Sequence, residues 1–359
     1  MPPARLPPAG SGAPAPLASP PLAARQTDVR PGPDTHEYTV PKGGVPGSRD
    51  TRSLRVFDRS RDGLSDFEKF GLIALGAAVA GSILSNGVEV VQNYGDQLIY
   101  RDQDGHYGLY HDDDVLLRRP GARVTTEVFP DGSVLTRIVL VNRIIIITLR
   151  TRYGRVLRRH VYYPDGRAYL LFDDTRILPP PVIAILPPRS PVHVLYTENT
   201  GPALLRAAFE ARPLQPPGRY FTLEQVRSIP QVRYLVPEVE IATVDFPSGS
   251  AEVLPEQART LGTLARVMTD MIAENPSEVF LIEGHSDAVG DPAINLALSQ
   301  ARAQSMALAL TEYFGVPPEN LVVSGYGEGD LRQPTQGPDP VNRRIIVRRI
   351  TALLQPTAP

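Results

Sequence analysis

Val279-Phe-Leu-Ile-Glu-Gly-His-Ser-Asp-Ala-Val-Gly290, followed by Asn295 and then Leu298-Ser-Gln-Ala-Arg-Ala303, decides how this chain is read. Val279 to Ile282 is a short apolar run and predicts a buried strand. Gly284 and Gly290 bracket a polar loop of the kind that lets a backbone turn sharply. Beyond it, Ile294, Leu298, Ala301, Ser305 and Leu308 recur at helical spacing. The strand-end loop carries Asp287 and the helix carries Arg302. An anion and a cation from two different elements can therefore face a common cleft.

The flanking residues extend the pattern. Val239, Ile241 and Val244 to Phe246 predict an opening strand. Pro255 opens a helix at a favoured first-turn position, and Leu261, Leu264, Ala265, Met268 and Ile272 form its buried stripe until Pro276 stops it. Gly315 reads as the C-cap of the Arg302 helix. Leu321-Val-Val is a third strand, and Arg344 to Ile350 a fourth. This order predicts an α+β domain with its helices packed on one sheet face, able to fold alone from Pro237 onward.

Residues 237–352 resemble the OmpA-like C-terminal domain family, the peptidoglycan-associating module of bacterial cell envelopes. The pieces that match are Phe246-Pro-Ser-Gly-Ser-Ala251, Gly284-His-Ser-Asp287, Asn295 with Leu298-Ser299 and Arg302-Ala303, and finally Gly325-Tyr-Gly-Glu328 with Asn342-Arg-Arg-Ile345. All stand in the family's order. The resemblance implies a βαβαβ(β) fold and a non-enzymatic envelope protein of a Gram-negative bacterium. Such a protein binds peptidoglycan non-covalently through the diaminopimelate of the stem peptide and links a membrane to the wall. By motif match, Asp287 accepts from the ligand ammonium and Arg302 forks onto its carboxylate. Asn295 hydrogen-bonds the stem peptide, Ser286 stands where the family usually has Thr, and Arg343 adds a second cation at the rim. Pro247 follows Phe246 where many relatives carry an acid, so any help from that acid is missing. Without the resemblance, Asp287 and Arg302 read equally well as a salt bridge holding loop to helix.

Catalytic readings fare poorly. His285 lies beside Ser286 and Asp287, but neighbours on an extended stretch point opposite ways and do not make a triad. The resemblance gives this histidine a structural role. The 6 histidines are scattered, cysteine is absent, and no metal or cofactor motif is present. A wall hydrolase needs paired carboxylates or a metal, and only the Glu283 and Asp287 loop offers anything similar.

The chain has 359 residues and a net charge of -2, which argues against a nucleic-acid partner. With 38 Pro and 29 Gly, a sizeable part is expected to be extended. Residues 1–65 read as a disordered Pro/Ala-rich linker. Its start is not a secretory signal as written, so export requires a signal upstream or a later targeting segment. Residues 66–89 hold the apolar run Phe70 to Val88, whose length approaches the roughly 20 residues of a membrane span. The alternatives are a membrane anchor and a docked helix. An anchor here allows a stator-like or scaffold protein of the inner membrane, but the run lacks the acidic residue that a proton-driven stator requires. The leading location is the outer membrane or periplasm, with membrane association.

Residues 90–175 read as a β-rich meander, with turns at Asp104-Gly105, Asp131-Gly132, Asn142-Arg143, Tyr153-Gly154 and Asp165-Gly166. Arg150, Arg152, Arg155, Arg158 and Arg159 leave no clean apolar outer face for a membrane barrel and read as a solvated sheet face. Residues 176–236 read as a proline-rich connector with short helices at 202–211 and 223–229, the second capped by Thr222 with Gln225.

Overall fold

The structure is a computed structural model and describes residues 34–40, 83, 88–93, 97–152, 154–213, 215–247 and 249–354. The apolar run 70–88, apart from residues 83 and 88, and most of 1–65 lie outside the described residues. Among the described residues, no helix is long and apolar enough to cross a membrane.

The meander is present and divides into two antiparallel sheets. Strand β1 spans Asp34–Thr39. Strands β2 (Glu89–Asn93), β3 (Gln97–Arg101) and β4 (Tyr107–His111) form a three-stranded sheet. Strands β5 (Arg123–Val128), β6 (Val134–Val139), β7 (Ile145–Arg150), β8 (Val156–Tyr162) and β9 (Ala168–Asp173) join β1 in a six-stranded sheet of order β1-β5-β6-β7-β8-β9. Gly132, Gly154 and Gly166 take φ of 81°, 84° and 88°, the left-handed geometry that tight hairpin turns require. Strand β1 corrects the reading of 1–65 as linker throughout. The open edge of β5 offers unpaired backbone groups, and Asp34–Thr39 satisfies them over its full length. Val40, 1% exposed, anchors the junction through backbone hydrogen bonds with Ala122 and Gly121.

The connector holds β10 (His193–Tyr196), α1 (Pro202–Glu210), α2 (Leu223–Ser228) and α3 (Pro230–Arg233). Thr222 and Gln225 form the expected capping box at the start of α2. Then come β11 (Glu238–Ile241), α4 (Pro255–Thr260), α5 (Gly262–Glu274), β12 (Phe280–Gly284), α6 (Pro292–Phe314), β13 (Leu321–Gly325) and β14 (Ile345–Arg349). The second large sheet has order β10-β11-β14-β12-β13. Strand β10 pairs parallel with β11, so the sheet takes a strand from upstream of residue 237 and the boundary placed there moves into the connector. Val244 and Phe246, expected in the opening strand, lie past the end of β11 yet remain buried on the helix side.

The two faces of the five-stranded sheet enter different cores. Phe280, Ile282, Leu321, Val323, Ile345 and Val347 pack with α5 and α6, including the expected stripe Leu261, Leu264, Ala265, Met268 and Ile272. Val279, Leu281 and Val322 on the opposite face pack with Val124, Ile138, Ile146 and Val161 of the six-stranded sheet. Helices α5 and α6 thus cover one face, as expected, and the six-stranded sheet, joined by Leu223 and Val226 of α2 and Val232 of α3, covers the other. Burial on both faces explains why these strands are continuous apolar runs and not alternating ones.

Helix α6 departs from its simple stripe. Ile294, Leu298 and Leu308 are only half-buried, whereas Ala297, Ala301, Ala303, Met306, Ala307 and Leu310 are buried. The helix is covered on more than one side, because Ala293, Leu296 and Ala297 also pack on Ile99 of the three-stranded sheet.

Charged residues are buried where the six-stranded sheet meets the domain downstream. Arg150 and Arg159, read from sequence as part of a solvated face, are 2% and 1% exposed. Arg150 pairs with Asp112 at 2.6 Å, and Arg159 pairs with Asp114 at 3.3 Å. Arg159 also donates to the Glu319 carbonyl at 3.1 Å, which ties the six-stranded sheet to the turn leading into β13.

Candidate functional site

Two glycines bring the site elements together. Gly284 and Gly325 are register partners at the ends of β12 and β13. A Cβ on Gly284 would lie 2.0 Å from the Ser299 carbonyl oxygen, and one on Gly325 would lie 2.3 Å from the Gln300 nitrogen. The α6 backbone therefore rests directly on the sheet backbone. Gln300 Oε1 accepts from the Gly325 N–H at 2.6 Å, and Ser299 Oγ accepts from the Gly327 N–H at 2.8 Å. Asp291 caps α6 by accepting from the Ala293 N–H at 2.8 Å. Loop 285–291 is thus held between β12 and the first turn of α6.

Asp287 sits on this loop and pairs with Arg343 at 2.8 Å, their side chains 12% and 29% exposed. Arg302 lies deeper, at 2% exposure. Its Nε donates to the Ser250 carbonyl at 2.9 Å and its Nη2 to the Pro247 carbonyl at 3.2 Å, with the guanidinium 5.1 Å from the Phe246 ring centroid. Among the described residues, no carboxylate lies within salt-bridge distance of Arg302. Burial, and then the neighbouring Arg343, push its pKa down to about 10 against the pull of Asp287 and Asp245. It stays charged at neutral pH. Asp287 and Arg302 are electrostatic neighbours but do not form the loop-to-helix salt bridge; Arg343 takes that place.

Asn295 donates to the Val289 carbonyl at 3.1 Å and to Glu328 Oε2 at 2.8 Å, joining the Asp287 loop to the Gly325 loop. Ser286 is 2% exposed and its N–H donates to the Gly327 carbonyl at 3.0 Å, so it supports the loop from within. Sequence reasoning gave no role to Glu328 or to the Pro247 and Ser250 carbonyls. Glu328 lay inside a quoted motif, Gly325-Tyr-Gly-Glu328, whereas backbone acceptors leave no residue signature.

His285 is fully enclosed, stacked 5.3 Å from the Tyr326 ring, with Nε2 3.3 Å from Glu283 Oε2. Burial, and then Arg344, push its pKa down to about 4, so it is neutral at neutral pH and out of reach of a substrate. Burial alone would raise the Glu283 carboxyl, but Arg348 and Arg233 outweigh it and hold Glu283 well below the usual carboxylate range. Glu283 and His285 therefore belong to a structural network beneath the loop.

The family model described as the OmpA family matches residues 245–344. Outer membrane porin F of Pseudomonas aeruginosa is 32% identical over 91 residues, covering 25% of this chain and 25% of that protein. Outer membrane porin F of Pseudomonas fluorescens is 34% identical over 80 residues, covering 22% and 24%. The matched stretch thus spans about a quarter of the length of these curated relatives. Among solved structures, the peptidoglycan-associated lipoprotein of Burkholderia pseudomallei is 27% identical, covering 29% of this chain and 84% of that one at a TM-score of 0.24. The periplasmic domain of Helicobacter pylori MotB is 18% identical, covering 31% and 71% at a TM-score of 0.25. The loop, helix and paired glycines described above lie within the matched stretch, and residues 245–344 are an OmpA family domain.

Proposed function

We propose that this protein binds peptidoglycan without cleaving it, gripping the zwitterionic end of diaminopimelate in the stem peptide, and that it links a membrane to the wall. Arg302 carries this reading. A buried guanidinium bonded to carbonyls, with no acid partner among the described residues, bears a desolvation cost that an incoming carboxylate offsets. Asp287 at the mouth supplies the acceptor for the ligand ammonium, with Arg343 sharing its carboxylate. Asn295 fixes the two loops that frame the mouth. The OmpA family match and the likeness to outer membrane porins support a place in the cell envelope, at the outer membrane or in the periplasm.

The test is sedimentation of the full chain with insoluble walls of two chemistries. Binding to diaminopimelate walls and weak binding to lysine walls supports the reading, because lysine lacks the terminal carboxylate. Equal binding to both removes Arg302 from the proposed role.

A further inference from the structure

A cavity of about 350 Å³ lies between the three-stranded sheet, α2 and the loop after β13. Asp287, Arg302 and Arg343 do not line it. One wall is aromatic, made by Tyr100 and Tyr110 on one face of the sheet, with Tyr107 at its edge strand. The Tyr100 and Tyr110 rings stack with centroids 4.5 Å apart and planes 27° apart. Gly108 permits this platform, since a Cβ there would fall 2.1 Å from Tyr100 Cζ. The ring can lie flat across β4 only where that side chain is missing.

The opposite wall is charged but balanced. Arg227 is held by Asp113, Arg233 by Asp330 at 3.0 Å, and Arg155 stands 3.8 Å from Glu224. Each guanidinium facing the cavity has its own acid. The wall therefore offers donors and acceptors together with little net charge, which disfavours a strongly ionic ligand. A flat ring face beside a balanced polar wall suits a pyranose. The C–H face of the sugar lies on the tyrosines, and its hydroxyl and acetamido groups bond the charged edges.

We propose that this cavity binds an N-acetylated amino sugar of the glycan strand, an assignment of source that rests on the wall-binding reading above. Leu296 of α6 lines the cavity, and Arg302 lies about 9 Å further along the same helix axis. The stem peptide hangs from an amino sugar of the strand. One wall segment can thus engage both places, and two linked contacts raise avidity beyond either alone.

The probe is a soluble tetramer of N-acetylglucosamine, titrated into the full chain by calorimetry, with circular dichroism to verify the fold of each variant. Tyr100→Ala removes one ring of the stacked pair, and Glu224→Gln alters the opposite wall without changing its volume. Saturable binding, weakened about three- to tenfold by Tyr100→Ala and also reduced by Glu224→Gln, is the expected result. Absence of binding to the wild type, or binding unchanged in both variants, overturns the proposal. A sugar-free stem peptide containing diaminopimelate is titrated in parallel with wild type and Asp287→Ala. If that peptide binds and the tetramer does not, the sugar site falls while the wall-binding reading stands.

Discussion

Arg227 of α2 forks onto the Asp113 carboxylate, Nη1 meeting Oδ2 at 3.0 Å, while its Nη2 also donates to the Val323 carbonyl of β13 at 3.1 Å. One side chain thereby joins the segment after β4, the connector and the OmpA family domain. Arg227→Ala leaves the Asp113 carboxylate, 7% exposed, with only His111 Nε2 at 3.0 Å and the Val156 N–H at 3.4 Å, so the loss should lie near the lower end of the range for a broken buried pair, about 3 kcal/mol. Urea unfolding measures it. A loss below about 1 kcal/mol would show that the fork is not a structural tie.

The fragment 237–359 should not fold as a cooperative unit, contrary to the reading from sequence. It lacks β10 and leaves Val279, Leu281 and Val322 without their covering sheet. It also lacks Arg233, which stands 3.4 Å from the buried Glu283. A sharp, reversible thermal transition of this fragment by circular dichroism would contradict the expectation.

Gly284→Ala should destabilise strongly, because the new methyl would meet the Ser299 carbonyl oxygen at 2.0 Å and backbone cannot rotate aside. Overpacking of this kind costs about 1–3 kcal/mol or more. Gly166→Ala tests a different mechanism, since nothing lies within 4 Å of its Cβ and only its φ of 88° opposes the change. Its loss should be the smaller of the two in the same denaturation assay.

Arg302→Ala should weaken sedimentation with diaminopimelate walls about 10- to 150-fold, the range for a charge-assisted contact of about 1.5–3 kcal/mol. It also frees the Pro247 and Ser250 carbonyls, so some stability is lost as well. Asp287→Ala, at the more exposed end, separates the two effects. It should lose wall binding with little change in melting temperature. Early melting with wall binding intact in both variants would reassign the pair to structure.

Acid should destabilise the protein partly through His285. Its pKa falls to about 4 in the fold, against roughly 6.5 in the unfolded chain. Between these values the unfolded chain binds more protons, so stability rises with pH across the window and is lost on acidification. Glu283, depressed by Arg348 and Arg233, acts in the same direction below its unfolded value of about 4.5. Asp174 opposes both: burial raises it to about 6, and it favours the folded state as pH falls. His285→Gln isolates the histidine. Relative to that variant, wild type should lose on the order of 3 kcal/mol between about pH 6.5 and 4. Identical pH slopes for the two proteins would exclude it.

The sequence was legible where the physics is local. The stripe from Leu261 to Ile272, the Gly315 cap and the Thr222 capping box are set by residues a few positions apart. The hairpin turns were visible for the same reason. What escaped was set by distant partners. Arg150 and Arg159 look like surface residues until Asp112 and Asp114, tens of residues earlier, fold against them. Strand β1 is a strand because β5 lends it an edge, and nothing in Asp34–Thr39 itself announces that. At the candidate site, Asp287, Arg302 and Arg343 were found as residue types, but not the arrangement in which Arg343 holds the aspartate and carbonyls hold Arg302.

A tether between membrane and wall works under tension. If the protein ties a membrane to the wall as proposed, with the wall held at Asp287, a pull enters the sheet through the end of β12. That strand is interior, with five register pairs to β13 on one edge and five to β14 on the other. Force along it shears both ladders at once, so many backbone hydrogen bonds share the load and none is peeled in turn. The Asp287 loop thus leaves a strand that is paired along its full length on both edges.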